Sequence, residues 1–229
     1  MTPIPANLQA VHARIAAACK AVGRAPQETR LLAVSKTWPA DDVRAAAACG
    51  QRAFGENYVQ EGLGKMEALA DLDLEWHFIG PLQSNKTRQV AEHFAWVHTI
   101  DRLKIAERLS AQRPEHLPPL QVCVQVNVSG ETSKSGVAPE EAVALAHAVA
   151  SLPHLCLRGL MAVPEPSEDE AQLAAQFGIL RELFEALQAA GLPVDTLSMG
   201  MSHDLESAVA AGATMVRVGT AIFGARSYT

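Results

Sequence analysis

Eight short apolar runs, each followed or preceded by a segment with helical periodicity, set the strongest limit on what this chain can fold into. The runs cover residues 31–36, 52–55, 75–80, 96–101, 120–128, 155–163, 196–199 and 214–223. Helix-like segments follow each of the first seven, and another, at 6–22, places Leu8, Val11, Ile15 and Cys19 at spacings of three and four ahead of the first. Strict strand–helix alternation implies a parallel sheet, and eight strands in 229 residues favour a closed barrel over an open doubly wound sheet. The expected fold class is α/β, a single (β/α)8 TIM barrel with an extra N-terminal helix. Residues 1–229 are read as one domain, because no internal repeat or linker-like shift interrupts the series; Pro114, Pro118 and Pro119 mark only a loop.

Composition narrows the function classes. Hydrophobic residues make up 48% of the chain, enough for a sizeable core, yet no run approaches the ~20 apolar residues that a membrane span needs. The start, Met1-Thr-Pro-Ile-Pro, lacks the regions of a signal peptide, so a cytoplasmic location is expected. A net charge of −6 without a basic block argues against nucleic acid as a partner. Cys19, Cys49, Cys123 and Cys156 show no metal-type spacing and read as reduced, partly buried thiols.

In a barrel of this kind the working face lies at the C-terminal ends of the strands, and the unusual polar residues fall there. Lys36 is a lone cation at the end of the first apolar run. Burial lowers a lysine's pKa, and a neutral amine is a nucleophile that condenses with aldehydes to a Schiff base. Glu56 and Asn57 follow the second run, His77 lies within the third, and Gln83 to Lys86 come after it. Ser198-Met-Gly-Met-Ser202 leads from the seventh run into a helix expected near His203, with Ser202 as N-cap; helix N-termini attract phosphate. Gly219 and Thr220 offer close backbone approach and a hydroxyl after the eighth run, and barrels often seat phosphate between these two loops. Arg217 shares a strand face with Gly219, so an inward Arg217 needs a partner, which a pyridine nitrogen would supply. An amine, a phosphate seat and a partner for a ring nitrogen are the three requirements of pyridoxal 5′-phosphate (PLP). Taken singly, each admits a structural role: Lys36 solvated or ion-paired, Ser202 and Gly219-Thr220 as capping and turn chemistry, Arg217 paired with an acid.

The motifs Ala33-Val-Ser-Lys36, Phe54-Gly-Glu-Asn57, His77-Phe-Ile-Gly-Pro-Leu-Gln-Ser-Asn-Lys86, Val126-Asn-Val, Ser133-Lys-Ser-Gly136, Arg158-Gly-Leu-Met161, Ser198-Met-Gly-Met-Ser202 and Val216-Arg-Val-Gly-Thr-Ala-Ile-Phe-Gly224 together resemble the PLP homeostasis (YggS/PROSC-type) proteins, over residues 7–226. The resemblance implies a barrel like the alanine racemase N-terminal domain and PLP held as a Schiff base on Lys36. It matches Ser202, Gly219 and Thr220 to phosphate ligands, Arg217 to the arginine facing the pyridine nitrogen, and Asn57 with Met199 or Met201 to the ring pocket. It leaves His77, Asn85 and Lys86 without a derived role. Trp38 and His203 depart from the pattern at the rim.

Two functions follow from the resemblance. One is a non-catalytic PLP-binding protein of intracellular vitamin B6 homeostasis, with PLP-dependent apo-enzymes as partners; the alternative is a PLP-dependent amino-acid racemase. A racemase of similar fold takes its second base, a tyrosine, from a further C-terminal domain of a partner subunit, and here the sequence reaches Thr229 right after the eighth run with only Tyr58 and Tyr228 on offer. The carrier is expected, as a monomer.

Overall fold

The computed structural model describes residues 3–130 and 135–225. Ser133, Lys134 and Tyr228, which entered the sequence argument, lie outside them. Eight parallel strands close on themselves in chain order: β1 (Arg30–Val34), β2 (Ala53–Glu56), β3 (Glu75–Phe78), β4 (Trp96–Ile100), β5 (Leu120–Gln125), β6 (Leu155–Met161), β7 (Thr196–Ser198) and β8 (Met215–Val218), with β8 pairing back onto β1. The connecting helices are α2 (Ala40–Ala48), α3 (Val59–Ala68), α4 (Thr87–His93), α5 (Leu103–Gln112), α6 (Pro139–Ala150), α7 (Glu170–Ala189) and α8 (Leu205–Ala210). This is the (β/α)8 barrel expected from the alternation.

Strand side chains alternate between two environments. Outward residues such as Leu31, Ala33, Phe54, Phe78, Val97, Val122 and Leu197 join the helices in the main apolar layer. Inward residues form two small separate clusters, Leu32–Ala53–Met215 and Trp96–Cys123–Met161. Between these the interior carries His77, His98, Ser198 and Arg217, all buried. Polar side chains at the centre of a barrel that could have been filled with branched aliphatics are the fold's main departure from plain packing.

The N-terminal helix α1 (Ile4–Ala21) buries Ile4, Leu8, Val11, Ile15, Ala18 and Cys19 against α8 and a short terminal helix, α9 (Thr220–Phe223). It also braces the upper rim: the Asn7 amide donates to the Ile222 carbonyl at 2.9 Å and an Arg14 N–H to the Ser202 carbonyl at 3.1 Å.

Three of the boundaries that differ from the sequence reading bear on the site. The first strand ends at Val34, so Lys36 sits in the following loop. The eighth run does not continue as a strand to residue 223, because beyond Gly219 the chain turns into α9 and buries Ile222 and Phe223. The helix expected at His203 begins at Leu205 with Asp204 at the N-cap, so Ser202 is in the turn before it and does not cap it. The four cysteines are free; Cys49 is exposed, and burial pushes the Cys123 thiol up to about 12. Among the described residues no helix is long and apolar enough to cross a membrane, and no group of acidic, histidine or cysteine residues is placed to hold a metal.

Candidate functional site

Seven of the eight residues singled out from the sequence, Lys36, Asn57, Met201, Ser202, Arg217, Gly219 and Thr220, line one cleft of about 350 Å3 at the C-terminal ends of the strands. Met199 does not join them. It shares the outward parity of Leu197 and lies fully buried in the layer between strands and helices, while Ser198 takes the inward position. The cleft is not the widest on the surface, since grooves of about 540 Å3 lie beside Lys65 and along Arg88 and Arg113. Its side chains, not its size, set it apart.

The loop carrying Lys36 is clamped on both sides of that residue. Lys65, on α3 and 5% exposed, donates to the Ser35 carbonyl at 2.6 Å, to Glu56 at 2.7 Å and to Glu61 at 2.6 Å. The Ser35 hydroxyl donates to the same Glu56 oxygen at 2.6 Å, and the Thr37 backbone N–H donates to Glu61. Thr37 has φ +69°, a left-handed conformation that a β-branched residue adopts only when its surroundings enforce it. Burial pushes the Glu56 carboxyl above its usual range, against the opposing pull of Lys65 and Ser35. Lys36 itself is half-buried, not enclosed as its position after an apolar run had suggested. Trp38, one of the two departures at the rim, stacks on Phe223 with ring centres 6.0 Å apart, tying this loop to α9.

The opposite wall is built from backbone. Gly200 has φ +95°, and a side chain there would lie 2.5 Å from the Ala208 methyl. The Asp204 carboxylate accepts from the Met201 N–H, closing the turn that presents Ser202. A methyl group at Gly219 would lie 3.0 Å from the Val34 carbonyl oxygen, tight enough that β1 or the start of α9 would have to give by a few tenths of an ångström, so glycine favours this close approach. Asn57 is pinned from below: a side chain at Gly80 would lie 2.1 Å from its carbonyl oxygen. The Asn57 Oδ1 is buried and has no hydrogen-bond partner among the described residues.

Arg217 forms the floor. One terminal nitrogen donates to the Ser198 carbonyl at 2.6 Å and hydroxyl at 2.8 Å, and the other to the Ala162 carbonyl at 2.8 Å. A guanidinium has five N–H donors, so two are not claimed by any described residue. No carboxylate among the described residues pairs with it directly. Burial lowers it to about 10, with Asp204 acting in the opposite sense, so it is a cation at neutral pH. The cleft therefore joins a primary amine, two hydroxyls beside the opening of a helical turn, and a donor-only cation.

The sequence reading left His77 without a role and did not single out His98, Ser198 or Lys65. The signal for the first three was parity: each is a polar residue at an inward position of an otherwise apolar strand. Lys65 carried none: its pairing with Glu61 is an ordinary i,i+4 helix pair, and its reach to Glu56 and Ser35 depends on the fold.

Comparison with known proteins decides the family. The alanine racemase N-terminal domain family matches residues 6–227. The pyridoxal phosphate homeostasis protein of Pseudomonas aeruginosa is 63% identical over 228 residues, covering 100% of this chain and 98% of that protein. This chain belongs to that family. PipY of Synechococcus elongatus, a family relative whose structure was solved with PLP bound, is 41% identical, with a TM-score of 0.81 over 92% of this chain and 100% of its own. The alanine racemase of Corynebacterium glutamicum, 19% identical, shares the fold, with a TM-score of 0.71 over 96% of this chain and 62% of its own.

Proposed function

We propose that this protein is a single-barrel carrier of PLP, holding the cofactor reversibly at Lys36 and supplying it to PLP-dependent apo-enzymes without turning over an amino acid. The observation that carries the reading is the meeting of an amine, an anion seat and an arginine floor in one cleft, in a chain matched along 98% of a PLP homeostasis relative.

The residues fit the group. The N–H groups of Arg217 that no described residue accepts suit an unprotonated ring nitrogen, the Asn57 Oδ1, orphaned among the described residues, suits a ring substituent that donates, and the Gly219 approach suits a phosphate at the start of α9. When bound, PLP supplies an aldehyde carbon that forms a C=N bond with a primary amine and releases one water. Lys36 offers that amine, and the Lys65 clamp fixes its neighbours Ser35 and Thr37, so the amine enters the cleft from a set direction. Ser202 and Thr220 offer hydroxyls to the phosphate. Arg217, which cannot accept a hydrogen bond, would favour an unprotonated nitrogen on a ring bound above it; such a ring would be a weak electron sink, suited to storage more than to carbanion chemistry.

The placement of Tyr58 supports the carrier over a racemase. Tyr58 is 59% exposed and lines a neighbouring groove with Gln83 and Lys86, which meets the Lys36 cleft only at Asn57. A second base has to reach the reacting carbon within hydrogen-bond distance. The test is reactivation of a PLP-dependent apo-enzyme by the loaded protein against the same amount of free PLP, beside racemisation assays with Lys36→Ala as control. Faster reactivation from the loaded protein supports the carrier, as a monomer in sedimentation. Lysine-dependent racemisation at an enzyme-like rate overturns it.

A further inference from the structure

Beneath the cleft, a line of hydrogen bonds runs the length of the barrel interior. The Glu75 carboxylate lies 2.8 Å from His77 Nε2, His77 Nδ1 lies 2.9 Å from His98 Nε2, and His98 Nδ1 lies 2.8 Å from the Ser198 hydroxyl. Ser198 in turn accepts from Arg217, and at the far end Arg30 donates to Glu75 at 2.8 Å. His77 and His98 are fully buried, and His77 stacks on Trp96 with ring centres 5.1 Å apart and planes 10° from parallel.

The carboxylate end settles the direction of every bond once both rings are neutral. A carboxylate only accepts, and a neutral imidazole carries one N–H and one acceptor nitrogen. His77 therefore gives its Nε2–H to Glu75 and accepts at Nδ1 from His98 Nε2–H; His98 then accepts at Nδ1 from the Ser198 hydroxyl, whose oxygen accepts from Arg217. One arrangement of neutral tautomers satisfies all four links, and no other does.

Stability alone does not account for such a line. Buried polar networks replaced by well-packed apolar residues are often as stable or more so, and the two interior apolar clusters show that this barrel can be filled that way. What the line does is leave Arg217 a single orientation. Both protons of one terminal nitrogen are committed to Ser198, so the guanidinium cannot roll, and its remaining N–H groups keep one direction relative to the cleft.

We propose that Glu75, His77, His98 and Ser198 are positioning residues for Arg217, setting through a one-way relay the direction in which its guanidinium meets a ring bound in the cleft. The inference rests on the reading of the cleft as a PLP site, and its test separates the two. In the unloaded protein, imidazole nitrogen shifts of 15N-labelled histidine should show His77 and His98 both as Nε2–H tautomers, and Ser198→Ala should move the Nδ1 signal of His98 and, through it, that of His77. Either histidine found protonated on Nδ1 overturns the relay whatever the cleft binds. In the loaded protein, Ser198→Ala should shift the visible absorption band and weaken PLP retention about tenfold, the scale of one hydrogen bond to a charged group. Ser198→Thr, which keeps the hydroxyl, should restore both. Glu75→Gln, which keeps an acceptor for His77 but removes the charge, should move the band in the same direction by less. Wild-type band and retention in Ser198→Ala and Glu75→Gln, with only the melting temperature lowered, would overturn the positioning role. Wild-type protein that takes up no PLP would overturn the cleft reading, and the nitrogen shifts would still decide the relay.

Discussion

The two walls of the cleft are held by different physics. On the β1 side, the loop with Lys36 is gripped by buried charge, with Lys65 joined to Glu56 and Glu61 and reaching the residues before and after Lys36 through Ser35 and Thr37. On the β7–β8 side, Ser202, Gly219 and Thr220 are placed by glycine geometry, a closed turn and the brace from α1. The difference matches the task proposed for each wall. An amine on a four-carbon stem has to be aimed, and aiming needs the backbone on both sides fixed, whereas a phosphate is received by N–H groups that the backbone already presents. Side-chain substitutions should therefore be costly on the first wall, and mainly backbone crowding on the second.

The largest effect belongs to the clamp. Lys65→Met should destabilise the fold by about 3–5 kcal/mol in urea titrations, because it leaves the buried Glu56 carboxylate without its partner. Adding Glu56→Gln should recover much of the loss; an unchanged midpoint in the single variant would break the contrast between the walls.

Acid probes the floor that both walls share. Burial holds His77 and His98 below the ordinary histidine value, His98 further. The unfolded chain then binds the protons that the folded one refuses, so stability is present above the unfolded value of about 6.5 and falls as pH drops through it. The slope is about 1.4 kcal/mol per pH unit for each histidine at its limit. Glu75 is held down at about 2, mainly by its hydrogen bond to His77, and adds a further loss from about pH 4 towards 2. Urea titrations at pH 7.5, 6.5 and 5.5 check the first window; a flat profile would mean the histidines are not held neutral.

On the second wall, Gly219→Ala should cost about 1–3 kcal/mol, split between stability and PLP retention, because its methyl group would press on the Val34 carbonyl. The smallest effect is Ser202→Ala, with about 1–2 kcal/mol lost in PLP affinity and less than about 0.5 kcal/mol in stability. If Ser202→Ala unfolded the protein as readily as Lys65→Met, the two walls would not differ in kind.

The barrel was legible in the sequence because parallel strands covered by helices on one side and a packed interior on the other read as continuous apolar runs. The same property hid the end of β8: Ala221, Ile222 and Phe223 are apolar whether they extend a strand or fill a helical turn. Lys36, Arg217, Gly219 and Thr220, which the fold brings to one cleft, are visible in the sequence because lysine, arginine and a Gly-Thr pair stand out against such runs. Met199 was misplaced since two methionines flank Gly200, and only the inward position of Ser198 shows that Met199 faces outward. The relay was in principle readable from the inward parity of Glu75, His77, His98, Ser198 and Arg217, but which partners meet depends on barrel closure. Nothing local announces that Lys65 reaches Ser35, thirty residues back.

Borohydride reduction of the PLP-loaded protein, followed by peptide mapping, tests the central claim most directly. The account predicts the pyridoxyl label on Lys36 and its loss in Lys36→Ala. A label on Lys65, Lys86 or Lys134 in the unaltered protein would contradict it.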